Sequence, residues 1–254
     1  MTALVEGRGV SKHFGGLKAV DDVDFHLDEG EILGLIGPNG AGKTTLFSVA
    51  ASSMPPTAGE ILLDGEVVSG HPPHHAVRKG ICRTHQIVRP FTNLTVRENV
   101  LVGRHYGTKL SQRRGHDDAK DTDELLEFVR LTPRAQALPG SLTLAGRKRV
   151  ELARALATQP RVLLLDEVIA GLNPTEAQML VGLIREIRDR GVSIIMIEHV
   201  MHAVMGVSDR VMVLDHGQKI AEGSPTEVAH NPQVIEAYLG KDEVALPPTE
   251  QEQA

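Results

Sequence analysis

Residues 31–53 read EILGLIGPNGAGKTTLFSVAASS. Glu31–Ile36 is an apolar run of strand length, Gly37–Thr44 is a glycine-rich turn, and Thr45–Ser53 suits a helix. Gly37, Gly42, Lys43 and Thr44 fall at the four required positions of the eight-residue phosphate-loop pattern, between the strand and helix that the pattern needs. Glycine lets successive backbone N–H groups turn inward around phosphate oxygens. The N-terminus of the following helix adds positive potential there. Lys43 is expected to reach the β- and γ-phosphates and the Thr44 hydroxyl to hold Mg²⁺.

Two further segments supply groups for the same site. Val162–Leu165 is a buried-strand run that ends in Asp166 and Glu167. Asp166 suits a direct or water-mediated Mg²⁺ position. Glu167, one residue on, points elsewhere and could take a proton from an attacking water. Val192–Ile197 is a second such run, followed by Glu198 and His199. If its strand neighbours the Asp166 strand, His199 reaches the γ-phosphate edge.

Around these segments the chain alternates strand and helix, which predicts an α/β fold with a mainly parallel sheet. Val23, Phe25 and Leu27 alternate with Asp24 and His26, and Asp64-Gly65 joins two apolar stretches as a hairpin turn, so antiparallel strands accompany the core. Residues 87–160 read as mostly helical, with Leu125, Leu126 and Val129 at helical spacing. Asn173-Pro174-Thr175-Glu176 is a helix start, with Asn as N-cap and Pro at the first helical position. The expected organisation is one domain over 1–240, with a core and β subdomain in 1–86 and 161–240, a helical subdomain in 87–160 and a flexible tail at 241–254. The interleaved prolines around His71, His74 and His75 predict a surface loop rather than a metal site. The charges at Arg113-Arg114 and Asp117–Asp123 predict a solvated face.

Composition narrows the class. The chain has 254 residues, 41% hydrophobic and 24% charged, with a net charge of −6. That is ordinary globular composition, and the acidic balance argues against bulk nucleic-acid binding. No apolar run approaches the roughly 20 residues of a membrane-spanning helix. The N-terminus has no basic-then-apolar secretion pattern. The single cysteine, Cys82, excludes a disulfide framework and predicts a reducing compartment. Only seven aromatics occur, five Phe and two Tyr.

Together these motifs resemble the ATP-binding subunits of ABC transporters, over about Leu4–Gly240. Gly37–Thr45 is similar to the Walker A motif, which makes Gly37, Pro38, Asn39, Gly40, Ala41, Gly42, Lys43, Thr44 and Thr45 the phosphate-binding residues. Val162–Glu167 resembles Walker B. The resemblance makes Glu167 the catalytic base, His199 the switch histidine, and Gln86 (in RTHQIVRPF) the Q-loop glutamine that touches Mg²⁺ and the attacking water. Phe14 resembles the aromatic that stacks on adenine, and Val20 the apolar residue beside it; Phe14 reads equally well as a sheet-core residue. Thr44, Gln86 and Asp166 are then the Mg²⁺ positions.

Two motifs depart from the family pattern. The usual LSGGQ signature stands here as Leu142-Thr143-Leu144-Ala145-Gly146. Thr143 can still cap a helix and offer a hydroxyl, while Ala145 loses glycine's dihedral freedom. Asn173 replaces the D-loop aspartate in Ala170-Gly171-Leu172-Asn173, and His85 stands where Phe is usual. In the family each ATP lies between the Walker A of one subunit and the signature of the other. The resemblance therefore implies a second ATPase subunit, in a homodimer or an asymmetric heterodimer, with ATP and Mg²⁺ as ligands.

RTHQIVRPFTNLTVRENVLVG, LDEVIAGLNPTE and VIEAYLG narrow the resemblance to importers of branched-chain amino acids. That implies integral membrane permease subunits as partners, a periplasmic or extracellular solute-binding protein indirectly, and a place on the cytoplasmic face of the membrane. Urea or amide importers and exporters remain alternatives, as does a soluble ABC-type protein of DNA repair or translation. A GTPase switch fits less well, because an NKxD-like guanine motif is absent and Gln86 and His199 would have no role.

Overall fold

Val5–Phe14 (β1) and Leu17–Leu27 (β2) pair antiparallel, and Ala58–Leu63 (β4) pairs antiparallel with the other edge of β1. Glu66–Val67 (β5) completes this four-stranded sheet in the order β2-β1-β4-β5. The turn between β4 and β5 is Asp64-Gly65 with φ of 50° and 74°, the left-handed pair that matches the twist of a tight hairpin. The computed structural model describes residues 3–84, 89–107, 118–199 and 201–239. Gln86, His85, Arg113, Arg114, Asp117 and the expected tail at 241–254 lie outside the described residues.

The second sheet holds Ile32–Ile36 (β3), Ile81–Arg83 (β6), Val162–Asp166 (β7), Ser193–Ile197 (β8), Arg210–Asp215 (β9) and Gln218–Gly223 (β10). Its order is β10-β9-β3-β8-β7-β6. All pairs are parallel except the β9–β10 hairpin. The central strands β3, β7 and β8 are buried along their whole length because both faces are covered. Leu33, Leu35, Leu164, Ile195, Ile197 and Met212 join one core, with Phe47 of helix Lys43–Ala50 (α1) and Val23 and Phe25 of the antiparallel sheet. The alternate residues Ile32, Leu163, Leu165, Ile194 and Met196 join a second core on the opposite face. That core is covered by Leu144–Ala157 (α5) and Pro174–Asp189 (α6).

The described part of 87–160 is helical. It holds Val96–Tyr106 (α3), Asp118–Phe128 (α4) and α5, and α3 and α4 put Val96, Val100 and Leu126 into the second core. The Pro- and His-rich segment differs from the expected loop, because Pro73–Lys79 forms a helix (α2). Proline near the first position costs that helix no hydrogen bond, and Gly80 at φ 111° closes it. Met201–Val207 (α7), Pro225–Ala229 (α8) and Pro232–Leu239 (α9) complete the described α-helices.

Parallel pairing sets the site. β3 is central, so the loop after Ile36 emerges where the C-terminal ends of β8 and β9 also open. The register Asp166↔Ile197 brings Glu167 level with Glu198 and His199. Ligands in open α/β sheets bind at this carboxyl edge.

Candidate active site

The loop 37–44 folds tightly against its neighbours. A Cβ on Gly37 (φ 149°) would meet the Leu214 carbonyl oxygen at 2.0 Å, and one on Gly42 (φ 97°) the Ala19 carbonyl oxygen at 2.1 Å. Side chains at these two positions would push the loop off the sheet. Gly42 is also the N-cap of α1, so Lys43 and Thr44 open that helix. The Lys43 ammonium is buried, donating to the carbonyls of Gly37 (2.7 Å) and Pro38 (2.9 Å). Burial holds it below the usual lysine range, and nearby Glu167 partly offsets this. A desolvated cation ringed by backbone groups suits an anionic phosphate.

A cleft of about 560 Å³ opens over this loop, lined by residues 39–45 together with Phe14, Leu17, His199 and His216. Phe14 ends β1 with 46% of its surface exposed, so it is an aromatic wall of the cleft rather than a core residue. Val20 is different: it is fully buried in the core and does not line the cleft. Asn39, Gly40, Ala41 and Thr45 line the cleft with Lys43 and Thr44. Gly37 and Pro38 face Lys43 through their carbonyls.

Glu167 follows Asp166 with φ 48°, a left-handed residue at the strand end. Its carboxylate Oε1 lies 2.7 Å from Nε2 of His199, and His199 itself reaches the cleft. Asp166 is 2% exposed and accepts from Nη2 of Arg83 at 2.6 Å. Arg83 also donates to Ser48 Oγ (2.9 Å), which donates to the Thr44 carbonyl (2.7 Å). This guanidinium therefore links the Asp166 strand to the Lys43 helix. Sequence reasoning missed Arg83, because only the β6–β7 register, which pairs Arg83 with Leu164, brings its side chain within reach of Asp166.

Glu198 and Lys148 were missed too. Glu198 is 2% exposed, and desolvation pushes its carboxyl up to about 7. Lys148, also buried, donates to the carbonyls of Glu167 (2.8 Å) and Ala170 (2.7 Å).

At the signature-like segment, Thr143 is the N-cap of α5, its Oγ1 accepting from Gly146 N–H at 3.1 Å. Leu142 and Leu144 are partly exposed, whereas Ala145 and Gly146 are buried. Asn173 caps α6 in a reciprocal capping box with Glu176. Its side chain is thus satisfied within its own helix terminus.

The donors near the loop are hard oxygens: the exposed Thr44 hydroxyl and the Asp166 carboxylate, whose second oxygen is not engaged by Arg83. Among the described residues no group of three His, Cys, Asp or Glu could cage a metal. One or two protein oxygens completed by phosphates and waters is the set that Mg²⁺ takes, so these residues fit it. No described helix is long and apolar enough to cross a membrane.

Known proteins match this geometry over nearly the whole chain. The family described as "ABC transporter" matches residues 20–170, and the one described as "Branched-chain amino acid ATP-binding cassette transporter" matches 218–244. The high-affinity branched-chain amino acid transport ATP-binding protein BraF of Pseudomonas aeruginosa is 40% identical, covering 94% of this chain and 98% of its own. LivG of Escherichia coli, described in the same words, is 42% identical with the same coverage. The lipopolysaccharide export system ATP-binding protein LptB of Escherichia coli is 34% identical over the same shares. Among solved structures, an ATP-binding cassette of an ABC transporter in its ADP conformation superposes with a TM-score of 0.85 at 30% identity. It covers 95% of this chain and all of that one.

Proposed function

The chain belongs to the ABC transporter family of ATP-binding proteins, and from that premise we propose that it is the ATP-hydrolysing subunit of an importer for branched-chain or related amino acids. It binds nucleotide and hydrolyses ATP, as its family does. The observation that carries the site assignment is the 2.7 Å contact of Glu167 with His199 at the phosphate cleft.

The roles follow from placement. Phe14 stacks on the adenine while the backbone N–H groups of residues 39–45 and the Lys43 ammonium hold the triphosphate. These donors are fixed before reaction and stabilise charge that develops on the γ-phosphoryl group. Glu167 accepts the proton of the attacking water, a contribution of about 10²–10⁴-fold. His199 orients that carboxylate. Gln86, which the family resemblance puts near the water, would assist. Thr44 and Asp166 would hold Mg²⁺, which when bound neutralises phosphate charge. Thr143, Leu144, Ala145 and Gly146 would close over the ATP of a second ATPase subunit, and that subunit's signature over this chain's own cleft. Dimer closure and opening would drive permease subunits from the cytoplasmic face of the membrane.

The substrate class rests on BraF and LivG, whose names specify branched-chain amino acids, and on the match at 218–244. LptB keeps another ABC system as the alternative reading. Co-purification with the permease subunits, followed by ATPase assays in proteoliposomes, tests the proposal. Stimulation by leucine, isoleucine or valine supports it, and stimulation by a different solute class redirects it. The altered signature supports an asymmetric pair. Glu167→Gln and the matching partner change would then reduce hydrolysis unequally, and equal loss would count against asymmetry.

A further inference from the structure

The turn after Glu167 is held from outside by two buried side chains. Glu167 N–H donates to the carbonyl of Ile197 at the end of β8 at 2.9 Å, and within the turn Leu172 N–H donates to the Ile169 carbonyl at 3.3 Å. Three other backbone groups depend on distant residues. The carbonyls of Glu167 and Ala170 both accept from Lys148 Nζ, at 2.8 and 2.7 Å. Ile169 N–H donates to Glu198 Oε1 at 2.7 Å.

Lys148 lies five residues beyond Thr143, the N-cap of α5, and Glu198 directly precedes His199. We propose that Lys148 and Glu198 form one clamp that positions Glu167 for catalysis and ties that position to the signature helix and the switch histidine. The inference rests on the ATPase assignment above.

Three facts support a positioning role over mere packing. Buried charges are a poor source of stability, and apolar residues of similar volume often serve better. Lys148 is 7% exposed and Glu198 2%, yet among the described residues their side-chain hydrogen bonds all go to this one turn. Glu167 also holds a left-handed backbone at φ 48°, which a non-glycine residue keeps only when its surroundings enforce it. Finally, the other Glu198 oxygen has no hydrogen-bond partner among the described residues, so the turn is what this carboxyl serves.

The test uses the full chain purified together with its partner ATPase subunit, with saturating Mg-ATP, a fluorescent ATP analogue for affinity, and thermal melts to verify folding. Glu198→Val removes the acceptor, Lys148→Met removes the donor, and Glu198→Gln keeps an oxygen for Ile169. Glu198→Val and Lys148→Met should each lower kcat at least tenfold, with nucleotide affinity within threefold of wild type. Glu198→Gln should recover kcat to within threefold of wild type, and the double variant should be little slower than the worse single one. If Glu198→Val does not fold, Lys148→Met carries the same test. A folded variant with kcat within twofold of wild type would overturn the clamp. So would parallel loss of affinity and kcat, or a Gln variant as slow as Val. A wild-type pair without hydrolysis would instead overturn the ATPase assignment, and the clamp with it.

Discussion

His199 Nε2 and Glu167 Oε1 lie 2.7 Å apart, although 32 residues separate them in sequence. The contact exists because β7 and β8 pair in the register that sets Asp166 beside Ile197. An imidazole held on the carboxylate restricts its rotamers and aims it at the cleft. His199→Ala is therefore expected to lower kcat by about 10²-fold, within the range for positioned acid–base groups. His199 is exposed, so stability should change by less than about 0.5 kcal/mol. Steady-state hydrolysis with a parallel urea titration checks both.

Arg83 and Asp166 make the next prediction. Asp166 is almost fully buried, and Arg83 is its charged partner at 2.6 Å. Removing one member of a buried pair strands the other charge, at about 3–5 kcal/mol. Arg83→Met should lower unfolding stability by an amount near that range. Arg83→Met combined with Asp166→Asn should regain part of it, since no ion then remains stranded. Urea denaturation of the single and double variants decides this.

Phe14 is exposed, so Phe14→Ala should cost little stability yet weaken nucleotide binding. Stacking of a base on an aromatic ring is worth about 1–3 kcal/mol, or roughly 5- to 150-fold in affinity. ATP and GTP should lose affinity alike, because stacking does not read base edges. Equilibrium titration with both nucleotides is the measurement, and unchanged affinity would return Phe14 to a purely structural role.

Glu198 gives a pH dependence with a definite sign. Burial is the main cause of its raised pKa, with Glu167 and Asp166 adding to it and the Ile169 N–H and Lys148 opposing. A carboxyl whose folded pKa lies above its unfolded value contributes stability below the unfolded pKa and loses it as pH rises through about 7. Glu198→Gln cannot ionise. Without nucleotide, its stability relative to wild type should therefore rise between pH 5 and pH 8, by about 1.4 kcal/mol per unit of displacement. Urea midpoints across that range check the trend, and a flat difference would contradict it.

Much of this was legible in the sequence because it depends on local chemistry. The phosphate loop is contiguous, and its glycines meet steric demands that the structure displays at Gly37 and Gly42. The Asn173 cap and the Asp64-Gly65 turn are also local. His199 came within reach of the site on one assumption, that its strand adjoins the Asp166 strand. What stayed hidden depends on register and long-range packing. Arg83 meets Asp166 across 83 positions, and Glu198 meets Ile169 across 29. The family resemblance puts Phe14 and Val20 both beside the adenine, but only the tertiary fold buries Val20 and exposes Phe14. The segment around His71, His74 and His75 reads as a loop because proline and histidine mask the short helix Pro73–Lys79, which tolerates Pro at its start.

The central claim is that Glu167 is the general base of an ATPase site built on the Gly37–Thr45 loop. Glu167→Gln removes the proton acceptor and leaves the loop, Lys43 and Phe14 in place. Steady-state ATP hydrolysis by this variant, beside ATP binding measured on the same preparation, tests the claim most directly. Hydrolysis should fall by about 10²–10⁴-fold while ATP affinity stays within a few-fold of wild type. Hydrolysis at the wild-type rate with ATP still bound would contradict it.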